Sequence, residues 1–272
     1  MLIDNIINPL NQDKIKNFYD KQVLNHPDSP AILGCKSKLS TAFRTYIEWE
    51  TLTKMIKLKK DMKILELGCG AGRWVEAFSK FVEYVEGVDF SENAIETAKN
   101  NAYFKGIQNV NYVSASIFDF EPDKIYDIIY FSGIMIYLND DDFERSVSKF
   151  SKYLKSDGVF IVRDSIAFNR AIINHNDEYT AIYRTLSEHI NIFSKYGFKL
   201  YKREIAFNFN YSRALEKRYI NRMYLISQHF KFSKMFLVFL HKMLEKRKTK
   251  EGKIGEANYS HDFLVFTREN KW

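Results

Sequence analysis

Eleven residues, ILELGCGAGRW at 64–74, constrain the fold more than any other stretch. A short apolar run leads directly into glycines at 68, 70 and 72. Glycine loses more conformational freedom on folding than any other residue and packs no side chain. Three of them in five positions imply a backbone that bends sharply and approaches a partner closely. The flanks give the bend its context. KILEL (63–67) reads as a short strand, and GRWVEAFSKF (72–81) as a helix with Val75, Phe78 and Phe81 on one face.

The alternation continues downstream. YVEGVDF (84–90), NVNYVSA (109–115), YDIIYFS (126–132) and VFIVRD (159–164) read as strands. Between them, SENAIETAKNNAYF (91–104) opens on a serine suited to an N-cap, and the 140–158 stretch is a helix with acids in its first turn and Gly158 at its end. Strand and helix in turn at this spacing build a doubly wound α/β domain, a mostly parallel sheet with helices on both faces. Two helices, near 13–22 and 39–57, precede it, joined by a loop at 25–34. A helix near 180–196, a strand near 198–209 and a last strand at 262–267 follow. The expected division is an N-terminal helical lid (1–58), an α/β core (59–210), a basic helical insertion (211–258) and a closing strand (259–272).

Ligands of open α/β sheets bind at the carboxyl ends of the strands. The glycine loop lies there, and Asp89 ends the second strand 21 residues after Gly68. An acid at that interval is placed to accept hydrogen bonds from a ribose. A dinucleotide site would carry a third glycine at position 73, where this chain has Arg73. The GxGxG spacing with Glu66 before it suits a nucleoside ligand without a pyrophosphate. Together with GVDFS (87–91), VSASIFDF (113–120), YDIIYFSGIMIYL (126–138) and DGVFIVRD (157–164), the loop closely resembles the class I S-adenosylmethionine (SAM)-dependent methyltransferases. The likeness runs over about residues 60–164.

That resemblance implies a seven-stranded Rossmann-like sheet with its last strand antiparallel, and SAM as cofactor. By position, Gly68, Cys69 and Gly70 would line the methionine part against bare amides, and Glu66 would shape the loop or reach the ammonium. Asp89 would hold the ribose with Phe90 near the adenine. Ser116, Ile117 and Phe118 would border the base, and Ser132 and Gly133 would lie beneath the sulfonium. Tyr19 and Arg44, on helices that fold over SAM in this family, complete the cofactor set. Two departures stand out: many members have Asp at Ser116, with Asp119 the substitute to consider, and many have His near Ile136 or Tyr137.

Methyl transfer from a sulfonium needs alignment and exclusion of water. A base is required only for a neutral hydroxyl or a protonated amine. Asp164 and Tyr137 are the catalytic candidates: Asp164 is expected to end the fifth strand together with Arg163, on the rim facing the site, and Tyr137 to lie past the fourth strand, with His175 in the loop after the fifth and His189 in the helix that follows. No Cys/His cluster has zinc spacing, so no metal is expected. Cys35 and Cys69 read as free thiols of a reducing cytoplasm, and the acid at position 4 argues against a signal peptide.

Charge separates the C-terminal segment from the rest. Residues 211–253 hold twelve Lys and Arg against three Asp and Glu, while the remainder is slightly acidic. The segment fits a cap over an anionic small substrate, an RNA-binding face or an interfacial helix at the inner membrane surface. A plain packed helix is the fourth option. The reading favoured is O- or N-methylation of a small metabolite, anionic on the cap reading, such as a sugar or sugar-phosphate-type group of a surface polysaccharide. RNA methylation and non-catalytic SAM binding are the alternatives.

Overall fold

The computed structural model describes residues 10–25, 38–175, 178–207 and 259–269. The basic segment, the proposed insertion at 211–258 and Cys35 lie outside them.

The apolar runs fall in the middle of the sheet. β1 (Lys63–Leu67) and β4 (Tyr126–Ser132) are buried along nearly their whole length, as expected of parallel strands covered on both faces. They pair with β2 (Tyr84–Asp89), β3 (Val110–Ser114) and β5 (Leu154–Ala167) in the order β3-β2-β1-β4-β5, all parallel. β9 (Tyr259–Arg268) then runs antiparallel to β5, and β8 (Phe198–Phe207) antiparallel to β9. These seven strands form the expected mixed sheet.

Two further strands were not read from the sequence. β6 (Ala171–His175) and β7 (Tyr179–Thr185) form an antiparallel hairpin, and β7 attaches in parallel to the far end of β5 through Ile166 opposite Arg184 and Ala167 opposite Thr185. β4 stops at Ser132, opposite Arg163, while β5 continues to Ala167. The hairpin occupies the edge that β4 leaves open, so those backbone groups stay paired. It therefore sits over the carboxyl end of β4.

Helices cover both faces. α3 (Arg73–Ser79) and α4 (Glu92–Phe104) pack on one side with the C-terminal half of α2 (Lys38–Met55), through Trp74, Phe78, Ile95 and Leu52. α5 (Asp140–Ser151) and α6 (Leu186–Ser194) pack on the other through Phe143, Phe150 and Phe193. Ser91 caps α4, its hydroxyl accepting from Ala94 N at 3.1 Å. α1 (Gln12–Asn25) lies apart, across the carboxyl edge near β7 and α4.

Three boundaries differ from expectation. α5 ends at Ser151, because Leu154 already pairs with Tyr126 ahead of a register shift. Gly158 is thus in a strand, where a Cβ would come within 2.7 Å of Leu154 Cδ1 and 2.9 Å of Asp127 O. The helix expected from about 180 begins at Leu186, fixed by a capping box between Thr185 and Glu188. Phe81 lies beyond α3 and is 43% exposed, though its ring meets Trp49 at 5.2 Å.

Candidate functional site

The glycine loop turns β1 back against β2. Gly68, Gly70 and Gly72 all have positive φ, at 78°, 52° and 82°. A Cβ on Gly68 would fall 2.1 Å from Ile134 Cγ2, so both conformation and space demand glycine there. The amides are not bare. Gly68 N and Cys69 N donate to Val88 O at 2.8 and 3.0 Å, Gly72 N donates to Cys69 O, and Gly70 N donates to Asp89 Oδ2 at 2.8 Å. Four of the loop's N–H groups are thus already engaged, three with backbone carbonyls and one with the Asp89 carboxylate. Cys69 is a free, buried thiol packed against Gly87, and burial raises its pKa well above the usual value.

Asp89 stands at the end of β2 with its carboxylate aimed at the loop. Oδ1 accepts from Ser91 N at 3.0 Å, and Oδ2 from Gly70 N. Burial pushes its pKa up to about 6, against the pull of those two amides, with Asp20 adding to the rise. Each oxygen keeps a lone pair for a further donor. Asp20 in turn accepts from Ser91 Oγ at 2.5 Å, tying α1 to the start of α4. Tyr19, from the same helix, places its ring 6.5 Å from Phe90 and its hydroxyl 2.6 Å from that of Tyr137. Gln12 donates to Tyr137 O. α1 therefore closes the space between the ends of β2 and β4.

Glu66 is fully buried, and neither carboxyl oxygen has a hydrogen-bond partner. Burial raises its pKa to about 8, only partly opposed by the nearby Ser132 hydroxyl, the Arg73 charge and the Val75 amide, none of which makes a hydrogen bond of ordinary geometry to it. It is therefore largely protonated at neutral pH. Gly133 (φ 76°) follows Ser132 at the end of β4, beside Arg163.

The 116–119 stretch is a turn. Ser116 Oγ accepts from Phe118 N at 3.2 Å, and Asp119 is exposed. Ile117 and Phe118 pack on the α5 side of the core, where Arg145 lies over the Phe118 ring at 4.2 Å.

Arg44 belongs to a cluster that the sequence does not announce. Glu48, fully buried, accepts from Arg44 Nε at 2.9 Å, Arg73 Nη1 at 2.7 Å, and Arg163 Nε and Nη2 at 3.0 and 2.8 Å. Burial opposes the charge on Glu48, yet Arg163, Arg73 and Arg44 together hold its pKa far below the ordinary carboxylate range.

The two residues expected to share the rim of the fifth strand are split by the period-two alternation of β5. Arg163 joins the Glu48 cluster. Asp164 faces the opposite layer, where it is buried with His189 Nε2 3.7 Å from Oδ2. It does not end the strand, which runs three residues further, and it is not brought to the glycine loop. Tyr137 is brought there, in a one-turn 3-10 helix (Met135–Tyr137) among Tyr19, Phe18 and Tyr179. Burial drives its pKa well above the usual phenol value, with Tyr19 and Tyr179 adding to the effect. The phenol therefore keeps its proton at neutral pH. His175 is in β6, and its side chain is outside what is described.

Arg184, missed in the sequence, holds that one-turn helix from β7. Its side chain is 1% exposed and donates to Met135 O at 2.9 Å, Leu138 O at 2.6 Å and Asp140 Oδ1 at 2.8 Å. Nothing local in its sequence marks it, because its partners lie more than forty residues away. Among the described residues, no group of His, Cys, Asp or Glu could hold a metal ion, and no helix is long and apolar enough to cross a membrane.

Comparison with known proteins places this geometry. A family model described as a methyltransferase domain matches residues 58–224. The uncharacterized methyltransferase YcgJ of Bacillus subtilis (strain 168) is 30% identical over 128 residues, 46% of this chain and 50% of that protein. The chain spans about half or less of the curated relatives it matches. Among solved structures, phosphoethanolamine N-methyltransferase 1 of Haemonchus contortus, in complex with phosphoethanolamine and S-adenosylhomocysteine (SAH), is 18% identical, with a TM-score of 0.56 over 66% of this chain and 39% of that one. The [4+2]-cyclase SpnF is 12% identical, with a TM-score of 0.62 over 96% and 98%. At such identities the structures share the fold. The family model, covering more than half of the sequence, goes further: the chain belongs to the methyltransferase-domain family, the class I Rossmann-like, SAM-dependent group.

Proposed function

We propose that the chain binds SAM and transfers its methyl group to a heteroatom of a small anionic metabolite. One observation carries the reading. The Asp89 carboxylate is locked onto the glycine loop, next to a buried Glu66 carboxyl that has no partner of its own. A ligand pairing a diol with an ammonium group fits both. Asp89 would take the ribose hydroxyls and Glu66 the ammonium. Phe90, Ser116 and Ile117 would border the nucleoside, and the backbone at 68–70, with Ser132 and Gly133, the methionine part. Once bound, SAM supplies an electrophilic methyl group.

The chain's own part is to align and to exclude water. α1 covers the gap between β2 and β4, and Tyr19 and Tyr137 present paired hydroxyls above it. With its pKa raised, Tyr137 keeps its proton and orients an acceptor by donating to it. An acceptor that arrives anionic, or as a free amine, needs nothing more from it. Asp164, turned towards His189, has no place in this scheme.

An anionic acceptor is supported by the arginine-rich wall at Glu48, and by the phosphoethanolamine bound to the Haemonchus protein. None of the relatives named above bears on a surface-polysaccharide sugar. The RNA and membrane readings rest wholly on residues 211–253, outside the described structure.

Calorimetric titration with SAM and with NAD tests the cofactor. Heat for SAM alone is expected, and heat for NAD alone overturns the assignment. A second reading, SAM binding without methyl transfer, is favoured by the likeness to a protein named as a cyclase. Tight SAM binding with no transfer of labelled methyl to a panel of phosphate- and carboxylate-bearing amines and alcohols would select it.

A further inference from the structure

We propose that Arg163 and Arg73, which share the buried Glu48 carboxylate, form the seat for the anionic group of the methyl acceptor. The inference rests on the methyltransferase reading and assigns a part of that site to a phosphate, phosphonate or carboxylate.

Charge is the first argument. Even with Arg44 left aside, two guanidinium groups meet one carboxylate, at 2.7 and 2.8 Å. Their side chains are only 13% and 12% exposed. Glu66, on the same face of the sheet, is largely neutral at pH 7 and adds little compensating charge. Asp164 lies on the other face, by His189. The positive excess acts on its surroundings: burial lowers the pKa of His261 well below its usual value, and Arg44 and Arg163 depress it further, against the pull of Glu48. An uncompensated charge in a partly dehydrated site is costly unless a counter-charge arrives. Guanidinium forks match tetrahedral and planar oxyanions in two-point geometry.

Position is the second argument. The Glu48 bonds use Nε and Nη2 of Arg163. Nη1 takes no part in them and approaches to 3.4 Å of the place a Cβ would occupy on Gly133. Asp89 is on β2, the glycine loop on β1, Gly133 follows β4, and Arg163 is on β5, in that spatial order. Three strand spacings put the Arg163 backbone roughly 14 Å from that of Asp89. A donor whose ribose sits at Asp89 and whose chain crosses β1 has its reacting end towards β4. β5 lies on the side from which an acceptor must approach. The buried Tyr19 phenol feels both charges: burial raises its pKa most, Asp89 adds to the rise, and Arg163 opposes it.

The test uses the full chain loaded with SAH. Inorganic phosphate is titrated in at constant ionic strength against chloride, followed by melting temperature and calorimetry. Saturable phosphate binding is expected, weakened about tenfold or more in Arg163→Lys, with the SAH Kd unchanged within about twofold. Arg163→Lys keeps a cation for Glu48 and loses the free edge of the fork. Arg163→Gln is the stronger variant. Should it fail to fold, the wild-type phosphate titration and the lysine variant still decide. Phosphate acting no differently from chloride overturns the proposal. So does a lysine variant that loses SAH affinity yet binds 5′-methylthioadenosine, which lacks the amino-acid carboxylate, as wild type does. That pattern would give the guanidinium to the cofactor. Failure of wild type to bind SAH at all counts separately, against the methyltransferase reading.

Discussion

Replacing Glu66 by glutamine should stabilise the free protein and weaken its grip on SAM. The side chain is fully buried, without a hydrogen bond, and its pKa stands at about 8, against 4.5 as the ordinary value. Between those values the folded chain keeps a proton that the unfolded chain has released. Stability from this group is therefore complete below pH 4.5 and is lost as pH rises towards 8. The loss runs at about 1.4 kcal/mol per pH unit, which comes to about 3 kcal/mol at pH 7. Glutamine has nearly the same shape and no proton to lose. Glu66→Gln should match wild type near pH 4.5 and exceed it by about 3 kcal/mol at pH 7. Urea unfolding of both proteins at several pH values measures this, and the difference between them removes the contributions of other groups. In calorimetry the variant should bind SAM about ten- to hundredfold more weakly, because the ammonium loses a carboxyl that would give up its proton on pairing with it. Parallel pH–stability curves would mean that Glu66 is ionised and satisfied in the fold, and the reasoning would fail.

Three further outcomes follow from the same geometry. In the Glu66→Gln background, SAM affinity should fall as pH drops through about 6, where Asp89 takes up a proton, and Asp89→Asn should abolish that step in a calorimetric pH series. Gly68→Ala should cost about 2–6 kcal/mol of stability in urea, combining positive-φ strain with the clash on Ile134. Arg184→Met should cost about 2–6 kcal/mol by stranding the Met135 and Leu138 carbonyls, and should lower the rate of methyl transfer more than the affinity for SAM.

The parts of this molecule that a reader of the sequence can find are those fixed by short-range backbone demands. Gly68, Gly70 and Gly72 announce a turn because few other residues tolerate it, and Ser91 announces a helix start because its hydroxyl serves an amide three residues on. β5 was legible as a strand, but neither its length nor the face of each residue was, and so Asp164 was assigned to a rim it does not occupy. The hairpin β6–β7 escaped notice because AIINHNDEYTAIYRT lacks a glycine or proline at its turn. The Glu48 cluster was invisible for another reason. Its members stand at 44, 48, 73 and 163, and only the folded sheet brings them together. Likewise, the amides of Gly68, Cys69 and Gly70 looked available until β2 was in place to receive them through Val88 O and Asp89.

The hairpin over β4 touches the sheet's ladder at only two residue pairs, yet it contributes Arg184, Tyr179 and Tyr183 to the neighbourhood of Tyr137. Asp89, the glycine loop and Glu66 owe it nothing directly. On the methyltransferase reading, sequence change in this hairpin is expected to alter the acceptor's surroundings at Tyr137 while leaving the Asp89–loop contacts as they are, so that choice of acceptor and hold on the methyl donor can vary separately.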